Sequence, residues 1–142
     1  MAALSYTTPA TAWGGRMGRV ATSDGTLDYQ LSMPESMGGE GGEGTNPEQL
    51  FAAGYAACFH NALRSVARKE KVDVTDSAVS VTVQIGGTAT DGFRLAITIE
   101  AEMPGVDRET GQRVLDGAHG RCPYSRALAG NHDLTLVLVD PS

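Results

Sequence analysis

"GTNPEQLFAAGYAACFHNALRSV", residues 44–66, decides the fold, because it states where a helix begins and which side of that helix is buried. Asn46 is a good N-cap, Pro47 takes the first helical position, and Gln49, three residues after the cap, can complete a capping box. Glu48 puts a negative charge in the first turn, where the helix dipole favours it. Phe51, Tyr55, Cys58, Phe59, Ala62 and Val66 recur at three- and four-residue steps, which makes one inward stripe. The pattern runs to about Lys71, about 37 Å at 1.5 Å per residue, so this helix is expected to be the central element.

On the N-terminal side, "LSYTTPATAW" (4–13), "GRVATS" (18–23) and "TLDYQLSM" (26–33) are rich in Thr, Tyr and Val and read as a three-stranded β-meander. "SDGT" (23–26) is a hairpin turn, and Pro9 makes the first strand an edge or a bent one. "MGGEGGEGTN" (37–46) carries five glycines and two glutamates. It is expected not to pack and to form a flexible loop over about 37–45, a linker or a hinge that lets the preceding β-segment move over a site. On the C-terminal side, "SAVSVTVQIGG" (77–87) and "FRLAITIEAEM" (93–103) alternate as the strands of a hairpin around "TATDG". "DRETGQRVLDGAHGRC" (107–122) is a glycine-diluted helix capped by Asp107. Cys122-Pro123 starts a second short helix, and "DLTLVLVD" (133–140) is a final strand. The expected fold class is α+β, one domain over residues 1–142.

Composition sets the outer limits. A chain of 142 residues with 41% apolar and 20% charged residues can build one soluble domain with a true core. A net charge of −6 argues against nucleic acid. The densest basic run, Arg64, Arg68, Lys69 and Lys71, falls at a helix end where cations suit the dipole. No apolar run approaches the ~20 residues that span a bilayer. The opening "MAALSYTTPATAW" has no basic stretch leading into an apolar one, so a cytoplasmic location is expected. There a permanent disulfide staple is disfavoured, and packing, metal or redox chemistry become the questions for two cysteines.

Cys58, on an apolar helix face, reads as a small hydrophobe whose thiol burial makes inert; to act as a nucleophile it needs a cation brought from elsewhere in the chain. Cys122, before Pro123 at a helix start, would feel the positive dipole end. The residues alone do not say which thiol reacts first. For zinc, Cys58 and His60 stand about 200° apart around the helix and cannot grip one ion. His119 and Cys122 could, but two further ligands would be needed and no CxxC pair exists. The same angle turns His60 away from a Cys–His acyl-transfer role. His132, in "GNHD", is expected to be solvated.

"GTNPEQLFAAGYAACFHNAL", "TAWGGRMGRV", "GGEGGEGTNPEQL" and "AHGRCPYSRALAGN" together resemble the landmarks of the organic hydroperoxide resistance (Ohr) proteins of the Ohr/OsmC superfamily, from Tyr6 to Val139. Met17 after "GGR" and Trp13 before it depart from the usual pattern. The resemblance implies an OsmC-like fold, an intertwined homodimer with active sites at the subunit interface, and a thiol peroxidase that turns organic hydroperoxides into alcohols. Cys58 would be the peroxidatic cysteine and Cys122, 64 residues on, the resolving one. Arg16 would stabilise the thiolate and Glu48 would orient Arg16. No bound cofactor is implied; the reductant would be a dihydrolipoyl group on a carrier protein. Glu48 lies about 15 Å along the helix from Cys58, so sharing Arg16 asks for reach, a bend near Gly54, or a Glu48 from a second subunit. Phe51, Tyr55 and Phe59, with Ala52, Ala53, Ala56 and Ala57, are candidates to line an apolar cleft for an alkyl chain, or to be simply core or dimer interface. An OsmC-type osmotically inducible peroxidase and a dimeric small-molecule binder with structural thiols are the alternatives.

Overall fold

A computed structural model describes residues 5–130 and 134–140; the expectation for His132 lies outside them. The chain divides into two compact units, Met1–Leu50 and Phe51–Ser142.

The first unit is an antiparallel meander of β1 (Ala10–Trp13), β2 (Arg19–Thr22) and β3 (Asp28–Gln30). Among the described residues, β1 is shorter than its sequence suggests. It begins after Pro9, which has no N–H to offer a ladder, and the Pro9 carbonyl accepts instead from the Ser23 amide at 3.1 Å. The expected turn joins β2 to β3. The Thr22 amide donates to the Leu27 carbonyl at 2.8 Å, and the Asp24 carboxylate accepts from the Thr22 hydroxyl and the Thr26 amide.

The glycine segment corrects the expectation that it cannot pack. Leu31 bridges in parallel to Thr45, and the amides of Gly39, Gly41 and Gly44 donate to the Pro34 carbonyl, the Met33 carbonyl and the Ser32 hydroxyl. A Cβ on Gly44 would stand 2.6 Å from the Gln30 carbonyl, and one on Gly39 would run into Met33. The missing side chains are what let two stretches of backbone lie this close. Among the described residues of this unit, Ala21 and Leu31 are the buried apolar ones, while Trp13, Met17 and Tyr29 are exposed.

Helix α1 (Pro47–Glu70) starts at the end of the first unit and runs on through the second. Asn46 caps it as expected, its side-chain oxygen accepting from the Gln49 amide at 2.8 Å. The capping box closes differently: the Gln49 side chain accepts from the Thr45 hydroxyl at 2.9 Å. Lys71, with φ 61°, ends the helix, and the Val72 amide returns to the Ala67 carbonyl at 2.8 Å.

The second unit continues with β4 (Ala78–Thr88), β5 (Gly92–Glu102), α2 (Arg108–Arg121), α3 (Pro123–Ala127) and β6 (Leu134–Val139). β4 pairs antiparallel with β5, Val81 facing Ile99, and β6 adds in parallel on the other edge, Leu136 facing Ile99. Tyr55, Phe59, Leu63, Ile97, Ile99, Val114, Leu115 and Cys122 form one buried cluster between helices and sheet. The architecture is α+β, with two small sheets and one long helix. No helix of the described residues is long and apolar enough to cross a membrane.

Candidate active site

Arg16 sits in a single 3₁₀ turn, Gly15–Met17, reached through Gly14 and Gly15 at φ 78° and 59°, values that glycine adopts without steric cost. A Cβ on Gly18 would fall on the Trp13 carbonyl, so the turn closes only because residue 18 has none. From this turn the guanidinium makes a two-pronged contact with Glu48 of the same chain, Nη1 to Oε2 at 2.8 Å and Nη2 to Oε1 at 2.6 Å. The fork matches both carboxylate oxygens and fixes orientation as well as distance. The side chains are 33% and 15% exposed. The Arg16 hydrogen bonds hold the Glu48 carboxyl below its ordinary range, against the opposing effect of burial, and Glu48 in turn holds Arg16 above its own. Trp13 and Met17, the two departures from the family pattern, both reach solvent. Trp13 carries the Arg19 guanidinium 5.2 Å from its ring centroid, while Arg19 also grips Asp28 with two bonds.

In the second unit the two thiols face each other. Cys122 Sγ stands 3.8 Å from Cys58 Sγ, both free. Cys122 is wholly buried, whereas Cys58 is only partly so. A reagent from solvent therefore meets Cys58 first, which separates two thiols that sequence alone left unordered. Burial pushes the Cys58 thiol up, the Tyr124 amide pulls it down by donating to the sulfur, and neighbouring Cys122 pushes it up again. Cys122 is the N-cap of α3 and Pro123 its first residue, so the turn that carries the second thiol also aims the Tyr124 N–H at the first.

Of the remaining expected residues, Tyr55 and Phe59 lie deeper than a cleft lining would. Tyr55 and Phe59 expose nothing and belong to the core; Phe51 is half-buried against it. Phe51 and Tyr55 meet edge to face at 5.8 Å, and Tyr124 stacks obliquely on Tyr55 at 5.5 Å, its hydroxyl lying over Gly54. The Tyr55 hydroxyl is hydrogen-bonded to Ser125 Oγ at 2.6 Å. His60 bonds Ser77 at 3.0 Å, and no group of three His, Cys, Asp or Glu able to hold a metal is found among the described residues. Two participants were not read from the sequence: Tyr124, through its backbone amide, and Ser125. Their only advance signal was their place directly after Cys122-Pro123.

Comparison with known proteins bears on the whole arrangement. The family model described as OsmC-like protein matches residues 39–137. The organic hydroperoxide resistance protein of Xanthomonas axonopodis pv. citri is 48% identical over 135 residues, 94% of each chain. The chain belongs to the organic hydroperoxide resistance branch of the OsmC-like family. The organic hydroperoxide resistance protein OhrB of Bacillus subtilis is 43% identical, covering 94% of this chain and 97% of its own. Among solved structures, the organic hydroperoxide resistance protein of Legionella pneumophila superposes with a TM-score of 0.88 at 42% identity, over 99% of this chain and all of that one. The OsmC-like fold expected from the resemblance is the one observed.

Proposed function

We propose that this chain is a cysteine-based peroxidase that reduces organic hydroperoxides to alcohols, as the names of its relatives suggest. The observation that carries the reading is the 3.8 Å approach of a partly exposed thiol, Cys58, to a wholly buried one, Cys122. The Cys58 thiolate attacks one peroxide oxygen, the O–O bond breaks, and the other oxygen leaves as an alkoxide that takes up a proton. Arg16, held by Glu48, supplies the cation that favours the thiolate and stabilises the alkoxide. In this reading its charge opposes the burial that pushes the Cys58 thiol up. Cys58 is left as a sulfenic acid. The Cys122 thiol condenses with it, water departs, and a Cys58–Cys122 disulfide forms.

A dithiol of the dihydrolipoyl class, presented on a carrier protein, restores both thiols and is itself oxidised to a disulfide. Phe51 and the small residues Ala53 and Ala57 of α1 are the surface proposed to meet an alkyl chain, with Tyr55 and Phe59 behind it as packing. The working unit is taken to be a homodimer in the cytoplasm. The test is a non-reducing mass measurement after one equivalent of cumene hydroperoxide. Loss of two hydrogens within one chain is expected in the parent. Cys122→Ser should stop at the sulfenic acid and over-oxidise with excess peroxide. A parent that gains oxygen and never loses the two hydrogens would remove the resolving step.

A further inference from the structure

We propose that the Tyr55–Ser125 hydrogen bond is a positioning device for disulfide closure: it sets α3 on α1 so that Cys122 meets Cys58 at closing distance. The inference rests on the peroxidase reading for its biological use, though not for its geometry. Tyr55 lies three residues before Cys58 on α1, and Ser125 lies three residues after Cys122 on α3. Each hydroxyl therefore stands about one helical turn from its own thiol, and the 2.6 Å bond ties the two turns together beside the sulfurs.

Helix α3 needs such a tie. It has five residues, and its cap residue, Cys122, makes no side-chain capping bond. So short a helix does not hold its own conformation and takes its orientation from what it is fastened to. The backbone bonds from Arg126 to Cys122 and from Leu128 to Tyr124 close its turns; what holds it to α1 is the Tyr124 amide on the Cys58 sulfur, the Tyr124 ring against Tyr55, and the Tyr55–Ser125 bond. Rotation by a single residue would carry Cys122 about 100° away from Cys58.

Packing alone does not explain the two hydroxyls. Tyr55 is 0% exposed and Ser125 is 4%, the one buried polar residue among those described. A Phe–Ala pair would fill nearly the same space with no donor or acceptor to satisfy, and such double replacement is close to neutral for stability. What the bond adds is direction, because both hydroxyls are satisfied when α3 holds this rotation. The Tyr55 hydroxyl also lies close enough to the thiols to feel them. Burial, above all, pushes its pKa up, Ser125 opposes this, and charge on Cys122 or Cys58 pushes it further up.

From 3.8 Å the sulfurs must close to about 2.05 Å, a short movement that a turn of either helix would lengthen. If α3 turns, a Cys58 sulfenic acid waits and a second peroxide can take it to the sulfinic acid. The partition between disulfide and sulfinic acid therefore reports the tie directly.

The experiment uses the full chain as parent, Ser125→Ala, Tyr55→Phe, the double variant Tyr55→Phe/Ser125→Ala, and Ser125→Thr. Closure is timed by quenched intact-mass analysis in two arms, one driven by cumene hydroperoxide and one by diamide. Diamide forms an adduct with one thiol, the second thiol displaces it, and the reagent leaves as its reduced hydrazine; no peroxidase activity is involved. The double variant, which leaves no unpaired hydroxyl, is expected to melt near the parent and to keep the rate of first oxidation. Closure should slow about ten- to a hundredfold in both arms, with sulfinic acid rising in proportion to peroxide. Ser125→Thr, which keeps the hydroxyl, should restore closure. Parental closure rates in the double variant would overturn the inference. Slowed diamide-driven closure in the double variant, together with a parent that hydroperoxide does not oxidise, would uphold the tie and sink the peroxidase reading instead.

Discussion

The two units of this chain solve opposite problems with opposite materials. The described residues of the first unit bury little apolar surface, with Ala21 and Leu31 their buried hydrophobics, and are shaped by glycines, turns and hydrogen bonds to carboxylates. Residues 51–142 contain the packed cluster of aromatic and branched side chains, and both thiols sit in or against it. The contrast teaches where each kind of chemistry can be kept. A charged fork such as Arg16–Glu48 belongs where desolvation is modest, since a fully buried ion pair would be costly to form. A thiol pair is apolar enough to stay inside a core, where its spacing is set by rigid neighbours.

The hardest way to break the comparison is to remove the sulfur that faces outward. If the redox chemistry lives in the packed unit, Cys58→Ser should cut peroxide turnover by at least about a thousandfold, measured as cumene hydroperoxide consumed in the presence of dihydrolipoamide. The melting curve should scarcely move. Turnover near the parental level would take Cys58 out of its assigned role.

Next in size is the contribution of the polar unit. Arg16→Ala should slow the first oxidation by about a hundredfold and move Cys58 ionisation to higher pH, followed by thiolate absorbance in the ultraviolet. Arg16→Lys keeps a charge but loses the fork to Glu48, so it should recover only part of the rate. A thiolate titration identical in Arg16→Ala and parent would show that the first unit does not tune the second.

A smaller perturbation sharpens the boundary. Gly18→Ala puts a methyl group where the Trp13 carbonyl lies, so the 13–18 turn must open at a cost of about 1–3 kcal/mol. The expected signature is a slower first oxidation with an unchanged rate of diamide-driven closure between Cys58 and Cys122. If closure slowed in step, a change confined to the 13–18 turn would be reaching the thiol pair, and the division of labour between the two units would fail.

What the sequence disclosed follows the same division. The packed unit was legible because periodicity and capping are local: Asp107 and Cys122-Pro123 cap where the residues said they would, and Val81, Ile97 and Ile99 face inward as their alternation required. The glycine segment was misread, because composition says what a segment can avoid and not what it will bond to; its partners, Ser32 to Pro34, lie outside it. The Arg16–Glu48 fork spans 32 residues and no periodicity announces it; only the family resemblance did. Tyr55 was readable as an inward residue but not as half of a pair with Ser125, seventy positions away.

The gentlest probe of the comparison is acid. The Arg16 hydrogen bonds hold the folded-state pKa of Glu48 below its ordinary value of 4.5. A carboxylate stabilised in this way contributes its full share above the unfolded value, because there both states are ionised and the folded one gains the fork. As pH falls below 4.5 the unfolded chain takes up the proton first, and the contribution drains away until the folded carboxyl protonates as well. With the pair partly open to water the share is small, less than about 1 kcal/mol. Urea midpoints measured from pH 7 to pH 3.5 should therefore fall slightly more for the parent than for Glu48→Gln, which has no such proton to bind. The spacing of the thiols, which belong to the other unit, should be indifferent across that range. Parallel pH profiles for parent and Glu48→Gln would mean that the fork orients Arg16 without stabilising the fold. A change in diamide-driven closure over the same acid range, once corrected for thiolate fraction, would mean that the polar unit does reach into the packed one.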